Sequence, residues 1–411
     1  MSRIVIVGGG AAGFFAAIAC AEACPPGKAK PEVVILEKGR QFLTKVRVSG
    51  GGRCNVTHAC LDPRTLATHY PRGGRALIAA FSRFQASDTV DWFAARGVKL
   101  KAEGDGRMFP VTDSSETIVD CLIREARAAG VILKIDVGVK RVERLPQGGF
   151  RLALSNGDTL ACDRLLLATG GCRTAPGCGM AASLGHAVEA PVPSLFTFHI
   201  EEPWLRHLAG VSVAVVEASI PGTKLREQGP LLATHSGASG PVILRLSAWG
   251  ARSLHERSYR FPLHIHWLPH LSVEAVVAEL KARSESQPAA FVIKTPIRPL
   301  PTRLWEALVK NAGISPETRW AAFPRAALHR LAEQLTQTEF QVTNKSSNKT
   351  EFVTCGGVRL SEVNFKTMES RIAPGLYFAG ELLDIDGLTG GFNFQAAWTT
   401  GWIAGNAMAA A

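Results

Sequence analysis

The fold class is decided by the stretch Gly8-Gly9-Gly10-Ala11-Ala12-Gly13, which has the Gly-x-Gly-x-x-Gly spacing. A short apolar run, Arg3–Val7, precedes it and predicts a buried strand, and a small-residue run, Ala11–Cys24, predicts a helix after it. In such a unit the first glycine permits the tight turn, the second lets the backbone approach a pyrophosphate, and the third lets the helix pack on the strand. The N–H groups at the start of the helix then hold the phosphates. The stretch therefore predicts a dinucleotide-binding, Rossmann-like fold.

An acidic residue follows the second predicted strand, Glu32–Leu36. Glu37 stands where a carboxylate accepts hydrogen bonds from an adenosine ribose and repels a 2′-phosphate. This position favours FAD or NAD over NADP, and we assign the neighbouring Lys38 to the same site.

The C-terminal part of the chain favours FAD over NAD. Gly375-Leu376-Tyr377-Phe378-Ala379-Gly380-Glu381 resembles the second flavin signature of two-dinucleotide-fold flavoproteins, in which a strand ends in Gly-Asp or Gly-Glu and the acid holds the ribityl chain. Gly380 and Glu381 fit these two positions. The stretch Gly390-Gly391-Phe392-Asn393 then opens a predicted helix, whose N-terminus is expected to face the N1/O2 edge of the isoalloxazine.

A third turn, Ala168-Thr169-Gly170, ends the buried run Arg164–Ala168 and resembles the element of the same fold that crosses near the adenosine half. With three such elements in order, we expect a flavoprotein oxidoreductase with non-covalent FAD.

The length of 411 residues predicts more than one domain. We expect an α/β FAD-binding domain split in sequence into residues 1–193 and 346–411. The predicted insert comprises a β-rich domain over 194–270, with return strands near 336–345, and a helical subdomain over 271–335. The polar stretch Asn344–Thr350 is predicted to be the return linker.

Composition indicates an ordinary globular protein, with 46% apolar and 20% charged residues. The nine cysteines include no Cys-x-x-Cys pair, so neither a disulfide framework nor a zinc site is expected, and such usage favours the cytoplasm. Cys172 and Cys178 are expected to lie too far apart to act as a redox pair. The chain also lacks an apolar run long enough to cross a membrane, so no membrane partner is expected.

The net charge of +11 permits an anionic partner, and much of it falls in the predicted insert. Residues 196–350 contain eighteen Lys and Arg against twelve Glu and no Asp. Three arginines there stand among aromatic residues and are candidates for pairing phosphates and stacking bases: Arg252, Arg257 and Arg260, with Trp249 and Tyr259. A solvated basic surface is the competing interpretation.

One block resembles a particular family. Ser49-Gly50-Gly51-Gly52-Arg53-Cys54-Asn55, preceded by Lys45, is similar to a motif of the BaiN/RdsA group of FAD-dependent oxidoreductases, which includes aminoacetone-oxidase-like proteins. The segments Thr234–Pro241 and Gly356-Gly357-Val358 also resemble this family. The resemblance implies a split FAD domain with an inserted β-barrel and a helical subdomain. It also implies one of several activities: reduction of a uridine in large-subunit ribosomal RNA to dihydrouridine, reduction of enone-like small molecules, or amine oxidation.

For a reductase, the acid that protonates the substrate is the key residue, since hydride comes from flavin N5. Cys54 is our candidate acid, with Arg53 stabilising its thiolate. The alternative is that Cys54 is a small buried residue that supports the glycine turn. Ser49, Gly50, Gly51, Asn55 and Lys45 are assigned to the flavin. His235, with Ser239, is expected to line the substrate face.

Three hypotheses remain open from the sequence: an RNA reductase, a small-molecule flavoenzyme, and a flavin-carrying RNA-binding protein with little turnover. A second Gly-x-Gly-x-x-Gly unit is missing, so NAD(P)H is expected to reach the flavin directly or to be replaced by a separate electron donor. No metal site is expected, because His264, His266 and His270 are not spaced as zinc ligands. The sequence leaves the oligomeric state open.

Overall fold

The Gly-x-Gly-x-x-Gly stretch forms the predicted turn between strand β1, Arg3–Val7, and helix α1, Ala11–Glu22. The structure, a computed structural model, describes residues 2–24, 30–172, 176–345 and 353–410. Its contacts divide the chain into two compact units, one of Met1–Val192 with Val353–Ala411 and one of Pro193–Phe352.

The strands, numbered in chain order, have the following bounds: β1 Arg3–Val7, β2 Glu32–Leu36, β3 Thr57–His58, β4 Leu100–Ala102, β5 Arg107–Pro110, β6 Ile132–Lys134, β7 Val139–Arg144, β8 Phe150–Leu154, β9 Thr159–Cys162, β10 Arg164–Leu167, β11 Val188–Ser194, β12 Phe198–Ile200, β13 Ser212–Ser219, β14 Arg226–Thr234, β15 Gly237–Ser239, β16 Phe261–His266, β17 Thr338–Lys345, β18 Val353–Val358, β19 Val363–Asn364, β20 Glu369–Ser370 and β21 Leu376–Phe378.

The α-helices have the following bounds: α1 Ala11–Glu22, α2 Thr44–Gly52, α3 Pro63–Ala67, α4 Gly74–Phe81, α5 Ala86–Ala94, α6 Ser115–Ala128, α7 Gly177–Ser183, α8 Pro203–Arg206, α9 Pro241–Trp249, α10 Ala251–Glu256, α11 Val273–Ser286, α12 Thr302–Asn311, α13 Arg325–Thr336 and α14 Phe392–Ala410.

The first unit is built on a seven-stranded sheet of order β19-β20-β21-β10-β1-β2-β6. The five strands β21, β10, β1, β2 and β6 pair in parallel, while β19 and β20 add an antiparallel edge. In β1 and β2 every residue after the first is buried, as expected for a parallel sheet covered on both faces. The carboxyl ends of β1, β10 and β21 therefore lie side by side.

Helix α1 packs closely against α14, and glycines in α14 make this approach possible. A Cβ at Gly401 would lie 2.5 Å from the Ala12 carbonyl oxygen, and one at Gly405 would lie 2.3 Å from that of Ala16. Two three-stranded sheets, β3-β5-β4 and β7-β8-β9, and the pair β11-β18 complete the strands of this unit.

The second unit contains a closed barrel of order β12-β15-β14-β13-β16-β17. Strand β16 alternates buried and half-buried residues, because one face lines the barrel core. The same apolar core continues into the helical part, where Trp267, Trp305 and Trp320 are almost fully buried. The predicted fold class, a split Rossmann-like FAD-binding domain with an inserted β-barrel, is confirmed.

Some local predictions differ from the structure. The glycine-rich stretch from Gly39 to about Cys60 predicts a loop, but helix α2 occupies Thr44–Gly52, with non-helical backbone at Ser49, Gly50 and Gly51. Turn signals from Phe196 to about Ser247 predict short strands, but helix α9 begins at Pro241. Proline suits the first position of a helix, and the period of the apolar run after it is ambiguous. Of the predicted linker Asn344–Thr350, residues 346–350 lie outside the described residues.

Candidate FAD site and its surroundings

Three chain segments meet where β1, β10 and β21 end. Gly8 has φ +114°, and a Cβ there would lie 2.3 Å from the Ala168 carbonyl oxygen. A Cβ at Gly380 would lie 3.0 Å from Ala12 Cβ, in the first turn of α1. The three elements that the sequence assigned to one cofactor are thus neighbours in space.

The start of α1 has the geometry of a phosphate cradle. Space beside Gly10 is open, since a Cβ there would meet nothing within 4 Å. A Cβ at Gly13 would lie 2.1 Å from the Gly8 carbonyl oxygen, so this glycine is needed for the helix to pack on the turn. Ala11 and Ala12 are buried beneath the cradle.

The carboxylate of Glu37 is held by backbone amides at the end of β2. Its Oε2 accepts from Gly9 N at 2.9 Å, and its Oε1 accepts from Gly39 N at 2.7 Å. These bonds fix a negative charge beside the glycine turn and leave further lone pairs for ribose hydroxyls. Lys38 is exposed next to it.

Glu381 follows Gly380, which lies beside the first turn of α1. Its Oε1 accepts from Thr354 N at 2.9 Å, and its Oε2 forms an ion pair with Lys45. Thr169 contributes a hydroxyl that is buried and has no hydrogen-bond partner among the described residues. Next to it, a Cβ at Gly170 would lie 4.0 Å from Glu381 Oε2.

The glycine-rich end of α2, which forms a loop up to Asn55, turns back through left-handed backbone. Gly50, Gly51 and Gly52 have φ of +58°, +69° and +85°, and the space beside Gly51 and Gly52 is open. Ser49 donates its hydroxyl to the Val46 carbonyl, 2.9 Å away. The loop thus presents bare backbone, as a planar ring or a phosphate requires.

Asn55 connects this loop to the start of α14. With its amide oriented to satisfy both partners, the nitrogen donates to Thr57 O at 3.1 Å and the oxygen accepts from Gly391 N at 3.0 Å. Asn393 uses both ends of its own amide on Gly387, at 2.8 and 2.9 Å. The flavin contacts predicted for these two asparagines stay predictions.

Cys54 is fully buried with φ +60°, and burial raises the pKa of its thiol to about 12, opposed by a hydrogen bond with Ser49. Arg53 points elsewhere. Its Nη1 lies 2.7 Å from Glu103 and 3.3 Å from Asp113, and its guanidinium stacks over the Phe109 ring. These contacts hold the Arg53 guanidinium at Glu103, Asp113 and Phe109. They therefore favour a protonated Cys54 thiol over a thiolate stabilised by Arg53.

An aromatic cluster lies at the start of α14 and was not evident from the sequence. The rings of His58 and His69 stack on Phe392, with centroids 4.7 and 4.3 Å away. His58 Nε2 lies 3.1 Å from the Asp105 carbonyl oxygen, while its Nδ1 is buried and has no partner among the described residues. Burial lowers the pKa of His58. In the sequence, the position of His58 three residues after Asn55 was the signal that could have indicated its place near this site.

An internal ion pair was also missed. Asp386 is fully buried and its Oδ1 lies 2.5 Å from Arg72 Nε, an interaction between residues far apart in sequence. Such a pair holds the segment before α14 to the segment before α4.

The expectation that Cys172 and Cys178 lie too far apart was wrong. Their sulfurs form a disulfide, with the Cα atoms 5.4 Å apart. Helix α7 begins at Gly177, which packs against Thr169 and Leu382, and this packing returns Cys178 to the side of Cys172. Spacing along the chain does not measure this distance.

In the second unit, one predicted base-stacking residue is not available. Tyr259 is 8% exposed, belongs to the barrel core, and packs edge-on against Phe196. Trp249 is 42% exposed, and three arginines near it in sequence are exposed: Arg252, Arg257 and Arg260. His235 is exposed in the turn between β14 and β15, and Ser239 is half-buried, so the role of each stays a prediction.

FAD fits the residues of the first unit. The cradle at Gly10 is open, and Glu37 and Glu381 supply acceptors for hydroxyl groups. The buried Thr169 hydroxyl has no hydrogen-bond partner among the described residues, and a bound ligand can provide one. The bare glycine loop and the start of α14 lie in the same unit, joined through Asn55.

Comparison with known proteins decides the family. Residues 2–407 match the family described as HI0933-like protein Rossmann domain. The chain belongs to this family. The resemblance inferred from the Ser49–Asn55 block is thereby confirmed.

Three curated relatives match over nearly their whole length. A ribosomal RNA dihydrouridine synthase of Escherichia coli K12 is 32% identical, over 97% of this chain and 96% of the relative. A 3-dehydro-bile acid delta(4,6)-reductase of Clostridium scindens is 31% identical, over 100% and 99%. A ribosomal RNA dihydrouridine synthase of Haemophilus influenzae is 30% identical, over 98% and 97%.

Among solved structures, a 3-ketosteroid-delta4-(5alpha)-dehydrogenase from Rhodococcus jostii RHA1 superposes with a TM-score of 0.53 at 15% identity, covering 99% of this chain and 97% of that chain. This likeness supports the fold. Together with the HI0933-like relatives, it identifies the chain as an oxidoreductase with a Rossmann-type FAD-binding domain. None of the helices in the described residues is long and apolar enough to span a membrane.

Proposed function

We propose that the protein is an FAD-dependent reductase that converts a uridine of large-subunit ribosomal RNA to dihydrouridine. The observation that carries the proposal is the full-length similarity to two ribosomal RNA dihydrouridine synthases, combined with a basic insert.

The two activities named among the relatives share one chemistry. Uracil carries a C5=C6 bond conjugated to the C4 carbonyl, and a steroid dienone carries C=C bonds conjugated to a ketone. In both, hydride adds to the carbon β to the carbonyl and a proton adds to the α carbon. The reduced cofactor, when bound, supplies the hydride from N5.

The proposed roles of the protein residues follow from their contacts. The amides at the start of α1 and the carboxylates of Glu37 and Glu381 bind and orient the cofactor. The N-terminus of α14 stabilises negative charge on the reduced ring. The Cys54 thiol is the proposed proton donor, because it directly precedes Asn55 in the glycine-rich motif and is protonated at neutral pH.

The charge of the insert favours RNA over a neutral substrate. Residues 196–350 carry six more basic than acidic side chains. Trp249, exposed at the end of α9, and the exposed Arg257 and Arg260 provide a stacking ring and cations for phosphates. NAD(P)H is proposed as the source of electrons for the flavin.

The test is the dihydrouridine content of large-subunit ribosomal RNA, measured by nucleoside mass spectrometry in cells with and without the gene. We expect the signal to disappear on deletion, to return with the intact gene, and to remain absent with Cys54→Ala. An unchanged signal after deletion rejects the RNA substrate.

A second pair of variants examines the insert. Arg257→Glu with Arg260→Glu is expected to weaken binding of purified ribosomal RNA and to reduce the slope of log affinity against log salt by about 2, one for each lost phosphate contact. The control is Lys281→Glu, an exposed charge on α11 of the same unit.

The bile acid reductase relative favours a second candidate, a reductase of small conjugated ketones. Purified enzyme, screened with steroid enones and dienones by flavin reoxidation, distinguishes the two. Turnover of these compounds, with unchanged dihydrouridine in the deletion strain, favours the small-molecule enzyme.

A further inference from the structure

We infer that Cys172 and Cys178 form a thiol–disulfide exchange site that controls how tightly the protein holds FAD. The two cysteines are bonded to each other and both are half-buried, so a reductant can reach them. The inference requires FAD binding and is independent of the substrate proposed above.

Each cysteine directly follows a glycine that touches a residue of the FAD site. A Cβ at Gly171 would lie 2.8 Å from Glu381 Oε1 and 2.3 Å from Thr354 Oγ1. A Cβ at Gly177 would lie 1.9 Å from Thr169 Oγ1. The disulfide therefore links the backbone next to Gly171, which packs against Glu381, to the backbone next to Gly177, which packs against Thr169.

The pair also contacts the short helical turn that carries Glu381. Cys172 Sγ lies 4.0 Å from the carbonyl oxygen of Leu382, and Leu382 Cδ1 would lie 2.9 Å from a Cβ at Gly177. Closing the disulfide thus restrains Glu381 from both sides. A preorganised site binds its ligand more tightly because less freedom is lost on binding.

The remaining cysteines do not compete for this role. Five of them are buried thiols outside the disulfide: Cys20, Cys54, Cys121, Cys162 and Cys355. Cys24 and Cys60 are half-buried and also lie outside it. Buried thiols exchange poorly because the thiolate is the reactive form and burial disfavours it. A change in redox conditions is therefore expected to act on the half-buried Cys172–Cys178 disulfide.

The proposed exchange conserves atoms and electrons. One thiolate of a dithiol reductant attacks a sulfur of the Cys172–Cys178 bond and forms a mixed disulfide. The second thiol of the reductant then displaces the remaining sulfur. The reductant leaves as a disulfide, two electrons pass to the protein, and two protons complete the thiols of Cys172 and Cys178. A disulfide oxidant reverses the sequence.

The experiment follows FAD release from the holoenzyme equilibrated in buffers that contain a dithiol and its disulfide at set ratios, from oxidising to reducing. Alkylation and mass spectrometry report the state of the two cysteines, and the fluorescence of freed flavin reports the Kd for FAD. We expect the Kd to rise by about tenfold when the pair is reduced. Cys172→Ser with Cys178→Ser is expected to show the weaker Kd in every buffer.

The control is Cys24→Ser, which removes a half-buried thiol outside the disulfide and is expected to keep the full response to the buffer. An equal Kd for oxidised and reduced wild-type protein overturns the inference, as does complete alkylation of both cysteines under oxidising conditions. The wild-type titration decides the matter even if the double variant fails to fold. Loss of the dihydrouridine activity, in contrast, leaves this result unaffected.

Discussion

At the scale of single residues, two carboxylates of the proposed FAD site are held in defined positions. Glu37 is fixed by the amides of Gly9 and Gly39, and Glu381 by Thr354 N and Lys45. An acceptor already oriented by the protein contributes more to binding than one that must be ordered on binding.

Glu381→Gln tests this view. Loss of a charged hydrogen-bond acceptor costs about 1.5–3 kcal/mol, so we expect the Kd for FAD to rise roughly 10- to 100-fold. Equilibrium dialysis with flavin fluorescence measures the Kd. Glu285→Gln, an exposed change on α11, serves as the control. An unchanged Kd for Glu381→Gln removes this residue from the cofactor site.

Two residues of opposite titration behaviour compete as proton donor. The Cys54 thiol has its pKa raised to about 12, so it keeps its proton as pH rises through neutrality. The His58 imidazolium has its pKa lowered by burial, so it loses its proton below the usual value for histidine.

With Cys54 as the donor, we expect the rate of flavin reoxidation by substrate to be flat between about pH 6 and pH 9 and to fall about 10²- to 10⁴-fold in Cys54→Ala. His58→Asn is then expected to retain the same pH profile. A wild-type rate that falls steadily as pH rises from 5 to about 7 assigns the donor role to His58 instead.

At the scale of elements, the close crossing of α1 and α14 joins the two ends of the chain. The first turn of α1 holds the phosphate cradle and the start of α14 faces the glycine loop, so a shift of one helix against the other alters both. Gly401 and Gly405 allow this crossing because no side chain fits between the helices.

Gly405→Ala is expected to lower the free energy of unfolding by about 1–3 kcal/mol, since its Cβ must displace the backbone of α1. Urea unfolding measures the change. Gly104→Ala is the matched control, because a Cβ there would meet nothing within 4 Å, and it is expected to stay within about 0.5 kcal/mol of wild type. Equal stability of the two variants contradicts tight helix packing.

At the scale of the whole molecule, the first unit contains several buried thiols with raised pKa values. Burial raises the pKa to about 12 for Cys20, Cys54 and Cys162, and to about 11 for Cys121. In the unfolded chain these thiols ionise near pH 9, so between pH 9 and the folded pKa the native state binds more protons.

Stability is therefore expected to be complete below about pH 9 and to decline above it, by about 1.4 kcal/mol per pH unit for each such thiol. Thermal melting between pH 7.5 and about 10.5 measures the decline. Cys20→Ala removes one titrating thiol and is expected to flatten the slope relative to wild type. An identical slope in the variant excludes Cys20 as a contributor.

The sequence by itself determined the cofactor class and the split fold. The strand–turn–helix at Gly8–Gly13, the acid at Glu37 and the Gly380-Glu381 pair are short contiguous patterns, and each encodes its own local backbone and chemistry. The buried strands Arg3–Val7 and Glu32–Leu36 were also evident, because a short apolar run is a local signal.

Only the tertiary structure decided which distant residues meet. Five features depend on how separate elements pack: the Cys172–Cys178 bond, the Asn55–Gly391 contact, the stacking of His58 and His69 on Phe392, the ion pair of Arg72 with Asp386, and the burial of Tyr259. Local patterns constrain backbone conformation and leave such distances open, since they are determined by sheet order and helix crossing across hundreds of residues.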